Sequence, residues 1–230
     1  MKKIFLYGFL MGLASLSLTS CNDDEDQLSD SRVTNYVLLT LNGDQKMYVD
    51  ANSTFNDPGC KAELAGEDVT SQVQVNSNVN TGEIGPYSVE YKAVNPDGFW
   101  ASTTRTVYVG TPLVGSVMPG SFRLSRSGAK VSWSGYDIDM LTDGEGLYWV
   151  EDLMGGYYEQ RAGYGDAYSM KGWLKVEPDN TVTFVKGGNV VGWGDAYDEF
   201  LNGVYDPEAN TISYDVVYAG MHFNVILKLS

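Results

Sequence analysis

The chain has almost no cysteine or histidine, with two Cys and one His in 230 residues. One histidine, His222, excludes zinc sites built from several imidazoles, and no G-x-S-x-G elbow accompanies it. Asp137, Asp139 and Asp143 come near a calcium spacing, but Leu141 stands where a ligand is needed and Gly144 is misplaced, so this segment reads as a turn. Gly155-Gly156 runs into aromatics and not into a helix with Lys-Ser or Lys-Thr, which excludes a phosphate loop. Positive charge is also scarce: 15 Lys and Arg against 30 Asp and Glu give a formal charge of -15. Such a surface repels nucleic acid and anionic lipid. A glycosidase needs only two carboxylates, but with 30 acids some pair is always at hand. Asp152, Glu159, Asp166, Asp195, Asp198 and Glu199 therefore read as solvated acids. No catalytic set, metal site, cofactor or nucleic-acid partner is read from the chain.

What is present begins at the N-terminus. Lys2 and Lys3 precede an apolar run, Ile4 to Leu18, that is too short for a roughly 20-residue membrane crossing and is interrupted by Gly and Ser. Leu18-Thr19-Ser20-Cys21 resembles the lipobox of bacterial lipoproteins. That resemblance implies a signal peptide over 1–20 and an acylated Cys21 as the mature first residue, anchored in outer-membrane lipid. Asn22 to Ser31 holds five acids and almost nothing apolar, a composition that reads as a solvated tether over 21–32. Carboxylates placed just after the cysteine resemble the export signal of surface lipoproteins in glycan-harvesting Gram-negative anaerobes, which implies an outward-facing position. Loss of 1–20 removes two lysines and no acids, taking the charge from -15 to -17. With Cys21 acylated, Cys60 has no disulfide partner and reads as a small buried apolar residue.

Sustained helical periodicity is absent from the mature chain. Short alternating runs broken by Gly, Asn, Asp and Pro predict an all-β protein. In a first group, Val37 to Leu41, Val73 and Val75, then Val89, Tyr91 and Ala93, then Val107 and Val109 supply apolar faces. The segment 111–119, with Pro112 and Pro119, reads as a linker. A second series over 120–230 ends in two strongly alternating strands, Thr211 to Tyr218 and His222 to Leu229. Tight turns between sequential strands favour an antiparallel meander, closed as an up-and-down, lipocalin-like barrel or folded as a sandwich. His222 alternates onto the face opposite Phe223 and Val225.

Residues 33–110 resemble a bacterial immunoglobulin-like β-sandwich. The resemblance rests on Asn56-Asp57-Pro58-Gly59, Asp68-Val69-Thr70, Gly85-Pro86-Tyr87-Ser88-Val89-Glu90-Tyr91 and Arg105-Thr106-Val107-Tyr108-Val109. Such modules serve as spacers in surface proteins. The remainder resembles the uncharacterised β-rich second domain of surface lipoproteins from glycan-harvesting loci, through Gly155-Gly156-Tyr157-Tyr158, Tyr164-Gly165, Trp193-Gly194 and Gly203-Val204-Tyr205.

The densest functional signal is Gly155 to Tyr168, GGYYEQRAGYGDAY, read as a mobile aromatic loop between two strands. Aromatic faces with planar polar groups suit sugars, because rings stack on a pyranose while carboxylate and guanidinium groups bind its hydroxyls. The candidate ligand-binding residues are Tyr157, Tyr158, Glu159, Arg161, Tyr164, Asp166, Trp173 and Trp193. The competing reading is that these rings plug one end of a barrel. The functional expectation is a non-catalytic surface lipoprotein that binds polysaccharide or oligosaccharide in an uptake system. Two alternatives stand beside it: an assembly component docked to an outer-membrane transporter, and a lipocalin-like carrier of an apolar small molecule.

Overall fold

The structure, a computed structural model, describes residues 33–230. The signal segment 1–20, Cys21 and the acidic tether lie outside the described residues. Seven strands come first: β1 Leu38–Leu41, β2 Lys46–Val49, β3 Cys60–Leu64, β4 Glu67–Asp68, β5 Gln74–Ser77, β6 Gly85–Val94 and β7 Trp100–Val109. They form two sheets, β1-β3-β4 and β2-β7-β6-β5, with β2 parallel to β7. Alternation in β6 and β7 turns Val89, Tyr91, Val107 and Val109 inward against Cys60, as the sequence pattern predicts.

The same alternation also places Arg105 inside, where it is 0% exposed. Its guanidinium is fully engaged. Nη1 contacts the Asp57 carboxylate and donates to Tyr91 Oη at 2.6 Å; Nη2 donates to Asn42 O at 2.6 Å; Nε donates to Asp44 O at 3.0 Å. Tyr91 Oη in turn donates to Asp57 at 2.5 Å. The Asn56-Asp57-Pro58-Gly59 turn is thus pinned to β7 through the sandwich interior.

Eleven further strands follow: β8 Thr111–Val117, β9 Phe122–Leu124, β10 Lys130–Ser132, β11 Asp137–Thr142, β12 Leu147–Val150, β13 Lys171–Val176, β14 Val182–Val190, β15 Asp195–Ala196, β16 Glu199–Asp206, β17 Thr211–Tyr218 and β18 Met221–Leu229. Segment 111–119, expected as a linker, is corrected: most of it is β8, paired with β11 on one edge and with β18 on the other. Pro112 lies beyond Gly115, the last position that β18 pairs, so its missing N–H costs the sheet little. Only Gly110 separates β7 from β8.

The sheet of this domain is an antiparallel meander from β11 through β14, with β16, β17 and β18 added beyond β8. It curls until the start of β14 approaches β16, where Thr181, just before β14, forms an isolated bridge with Val204. The barrel expected as one alternative therefore does not close. β15 occupies the upper edge of β14 at Asn189 and Val190. A register shift between Leu201 and Val204 bends β16, and Gly203 lies so close to Val182 that a Cβ there would meet its carbonyl oxygen at 2.0 Å. The interior is filled by side chains such as Tyr214, Phe223, Leu174, Met170 and Met154, so the lipocalin-like carrier with an apolar lumen is set aside.

Arg105→Ala is expected to destabilise the sandwich by about 3–5 kcal/mol, because it removes the cation that faces Asp57 and the donors to the Asn42, Asp44 and Gly59 carbonyls. A lowered thermal or denaturant midpoint for its transition is the measurement.

Candidate functional site

The Tyr-rich segment is built of two short helical turns joined by an irregular stretch. Its base is Asp152, a carboxylate 0% exposed just after β12. Oδ1 accepts from the N–H groups of Met154 at 2.9 Å and Met170 at 3.0 Å, and Oδ2 accepts from Gly156 N–H at 2.9 Å. The acid thereby clamps both ends of the insertion to one point. From there Tyr157–Arg161 forms one turn of π-helix, with Arg161 N–H on Gly156 O at 2.9 Å and Ala162 N–H on Tyr157 O at 3.0 Å. A 3₁₀ turn, Asp166–Tyr168, returns the chain to β13.

This geometry divides the candidate residues. Tyr157 is buried among Trp133, Tyr158 and Phe223, at ring distances of 5.0, 5.0 and 5.4 Å. Tyr157 is therefore a core residue with no face left for a ligand. Arg161 lies over that ring at 5.1 Å, and Arg123 lies 5.0 Å from it. Tyr158 is 9% exposed and forms the floor of an aromatic cluster. Trp193 stands 4.8 Å from it at 84°, and Tyr164 stacks 6.0 Å from it at 18°. Tyr164 and Trp193 are 55% and 42% exposed, 6.1 Å apart and nearly perpendicular at 82°. They make an open aromatic corner.

Two rings that the sequence reading did not choose complete it. Tyr168 packs 4.8 Å from Trp193, and Tyr218 stacks on Trp193 at 5.9 Å and 27°. Tyr218 Oη donates to Asp195 at 2.5 Å, which puts an exposed carboxylate beside the corner. Alternation in β17 marks Tyr218 only as inward-facing; its place under Trp193 comes from the β14–β15 connection folding back.

The remaining candidates go elsewhere. Trp173 does not extend the corner. Its Nε1 donates to Ile84 O at 2.7 Å, and Lys186 covers its ring at 4.4 Å. Glu159 and Asp166 join Glu151 and Lys171: Lys171 Nζ lies 2.6 Å from Asp166 and 4.0 Å from Glu151. Burial pushes Glu151 up to about 7, with Lys171 opposing and Asp139 and Glu159 adding to the rise. Burial raises Glu159 as well, and it raises Asp152 to about 6 against three hydrogen bonds that favour the charged form. Among the described residues no group of three or more His, Cys, Asp or Glu is placed to hold a metal ion. His222 Nε2 lies 3.4 Å from Asp215, on the face expected for it.

Two outcomes are expected from this chemistry. Glu151 has a folded value above its ordinary 4.5, so its contribution to stability is full below about pH 4.5 and is lost as pH rises through about 7. Glu151→Gln should flatten that part of the melting-temperature profile. Asp152→Asn should cost about 1–3 kcal/mol by turning an amide toward N–H groups that need an acceptor, read as a lower denaturation midpoint.

Comparison with known proteins follows the same division. A family model described as a bacterial surface protein Ig-like domain matches residues 39–109, and a C-terminal domain model matches residues 115–229. The crystal structure of the lipoprotein BT2262 from Bacteroides thetaiotaomicron is similar at 37% identity, over 84% of this chain and 100% of that chain, with a TM-score of 0.58. CBM51-2 in complex with GlcNAc and INT domains from Clostridium perfringens ZmpB matches at 15% identity over 50% of this chain and 28% of that chain. Its TM-score of 0.28 is too low to inform fold or ligand. No curated protein matches the chain. No described helix is long and apolar enough to cross a membrane. The extent and identity of the match to BT2262, with the surface Ig-like domain ahead of the matched C-terminal domain, place the chain in the family of that Bacteroides lipoprotein.

Proposed function

We propose that the protein is a non-catalytic glycan receptor of the outer membrane, lipid-anchored through Cys21 and facing outward in a polysaccharide-uptake system. Residues 33–110 act as the spacer, and the domain after it carries the recognition surface. The observation that carries this reading is the exposed corner of Tyr164 and Trp193, two rings held at 82° on a floor of Tyr158 and Tyr168. Large rings left open to solvent lose free energy there unless something covers them. A pyranose fits such a corner, with its apolar face on one ring and its edge against the other, while Asp195 is placed to accept hydroxyl hydrogens. Rigid support matters as much as the rings, because a surface ordered in advance loses less entropy on binding.

The acidic balance favours a neutral sugar over a uronate or sulfated one. Lipoprotein family membership and the lipobox resemblance support the setting.

Trp193→Ala and Tyr164→Ala are expected to weaken binding about tenfold or more in calorimetry against a polysaccharide panel. Tyr164→Ala, at a ring 55% exposed, should change the melting temperature little, whereas Trp193→Ala, which uncovers Tyr158 and Tyr218, should lower it without unfolding the domain. Retention on no member of the panel would falsify the reading.

A further inference from the structure

A second concave surface lies where the sandwich meets the larger sheet, away from the aromatic corner. Tyr48 of β2 and Tyr108 of β7 stack at 5.2 Å and 19°, forming one wall. Tyr48 is 54% exposed, an unusual position for a ring with a free face. Trp149 of β12 lies 6.1 Å from Tyr108 and is 1% exposed. Its indole Nε1–H has no hydrogen-bond partner among the described residues. An unmatched buried donor carries a desolvation cost. Leu141 forms part of the apolar floor, and the carboxylate of Asp139 stands at the rim. The cleft encloses about 280 Å³. That is close to the lower end of the roughly 300–1,000 Å³ typical of small-molecule sites, which favour domain junctions.

The surroundings narrow the ligand. Glu151 follows Asp139 across the ladder, its N–H on Asp139 O at 3.0 Å, and Lys171 stands 4.0 Å beyond Glu151. Burial, with the charges of Glu151 and Asp139 added, pushes the Tyr108 phenol up, so it stays a neutral donor. Stacked rings, neutral donors and a carboxylate acceptor match a ring that is apolar on its faces and hydroxylated on its edge. The nearby carboxylates disfavour an anion.

We propose that this cleft is a second saccharide site, taking one neutral pyranose unit on the Tyr48–Tyr108 wall with Asp139 meeting its hydroxyls. The site rests on the glycan reading given above and extends it: two anchoring points on one chain hold a long polysaccharide more firmly than either alone.

The test is calorimetric stoichiometry on the full chain in detergent, with cellotriose, mannotriose, xylotriose and chitotriose as probes and trigalacturonate as the anionic control. Wild type is expected to bind two molecules of one neutral trisaccharide per chain. Trp193→Ala should leave one site. Tyr48→Ala and Asp139→Asn should each weaken the other about fivefold or more while the melting temperature holds, Tyr48 being exposed. Saturation at one molecule per chain, lost in Trp193→Ala and unchanged in Tyr48→Ala and Asp139→Asn, overturns the second site and leaves the corner standing. Tighter binding of trigalacturonate than of any neutral sugar overturns the assignment of the cleft. Absence of binding by every probe overturns both sites together.

Discussion

A single buried carboxylate organises the domain that follows the sandwich. Asp152 accepts three backbone N–H bonds, from Met154, Gly156 and Met170, at a point where the chain leaves the sheet and where it returns. Inside a protein each of those donors is costly to leave unpaired, and each partner satisfied at Asp152 brings one end of the insertion to the other. The intervening residues have little freedom left. They close into a π-turn that drives Tyr157 into the core and leaves Tyr164 outside. Burial opposes the charge on Asp152 while its hydrogen bonds favour it.

The second organising constraint is the joint between the two domains. With Gly110 alone between β7 and β8, the strands leave almost no slack, and Gly110 N–H is itself bonded to Val49 O at 2.8 Å. Trp173 completes the joint by donating to Ile84 O at 2.7 Å. It presses on Gly85, whose φ of +145° suits glycine and where a Cβ would meet the indole at 2.8 Å. Ile84, Leu141 and Trp149 form a small apolar cluster at the same place. A joint of this kind fixes how the two domains meet. It also sets the Tyr48–Tyr108 stack against the apolar residues and carboxylate of the larger sheet.

The aromatic residues serve two ends in one fold. Trp133, Tyr157, Tyr214 and Phe223 fill space that a sheet without helical cover would otherwise leave open. Tyr164 and Trp193 continue the same cluster outward, each ring touching others edge-on or offset, the arrangements that the ring quadrupole favours. The exposed pair is therefore held by the core beneath it.

Much of the architecture was legible in the chain. Period-two alternation placed Val89, Tyr91, Val107, Val109, Phe223 and Val225 on buried faces, because a strand turns every second side chain the same way. The Asp57-Pro58-Gly59 turn, the buried Cys60 and the family resemblance belong to the same class of local information. Alternation also placed Arg105 inward, but nothing local to β7 says that Asp57, Asn42 and Asp44 would converge on it. The linker reading of 111–119 failed because prolines and glycines mark a bend only where no neighbour supplies pairing, and β11 and β18 lie far along the chain. Which of the tyrosines between 155 and 168 pack and which face solvent depended on the bonds to Asp152 and on Trp193, 25 or more residues downstream of that segment. Trp173 was read as part of the same platform for a similar reason, its true neighbour Ile84 being 89 residues away. Local pattern thus determined strands, faces and family; contacts distant in sequence alone decided closure, burial and which rings face solvent.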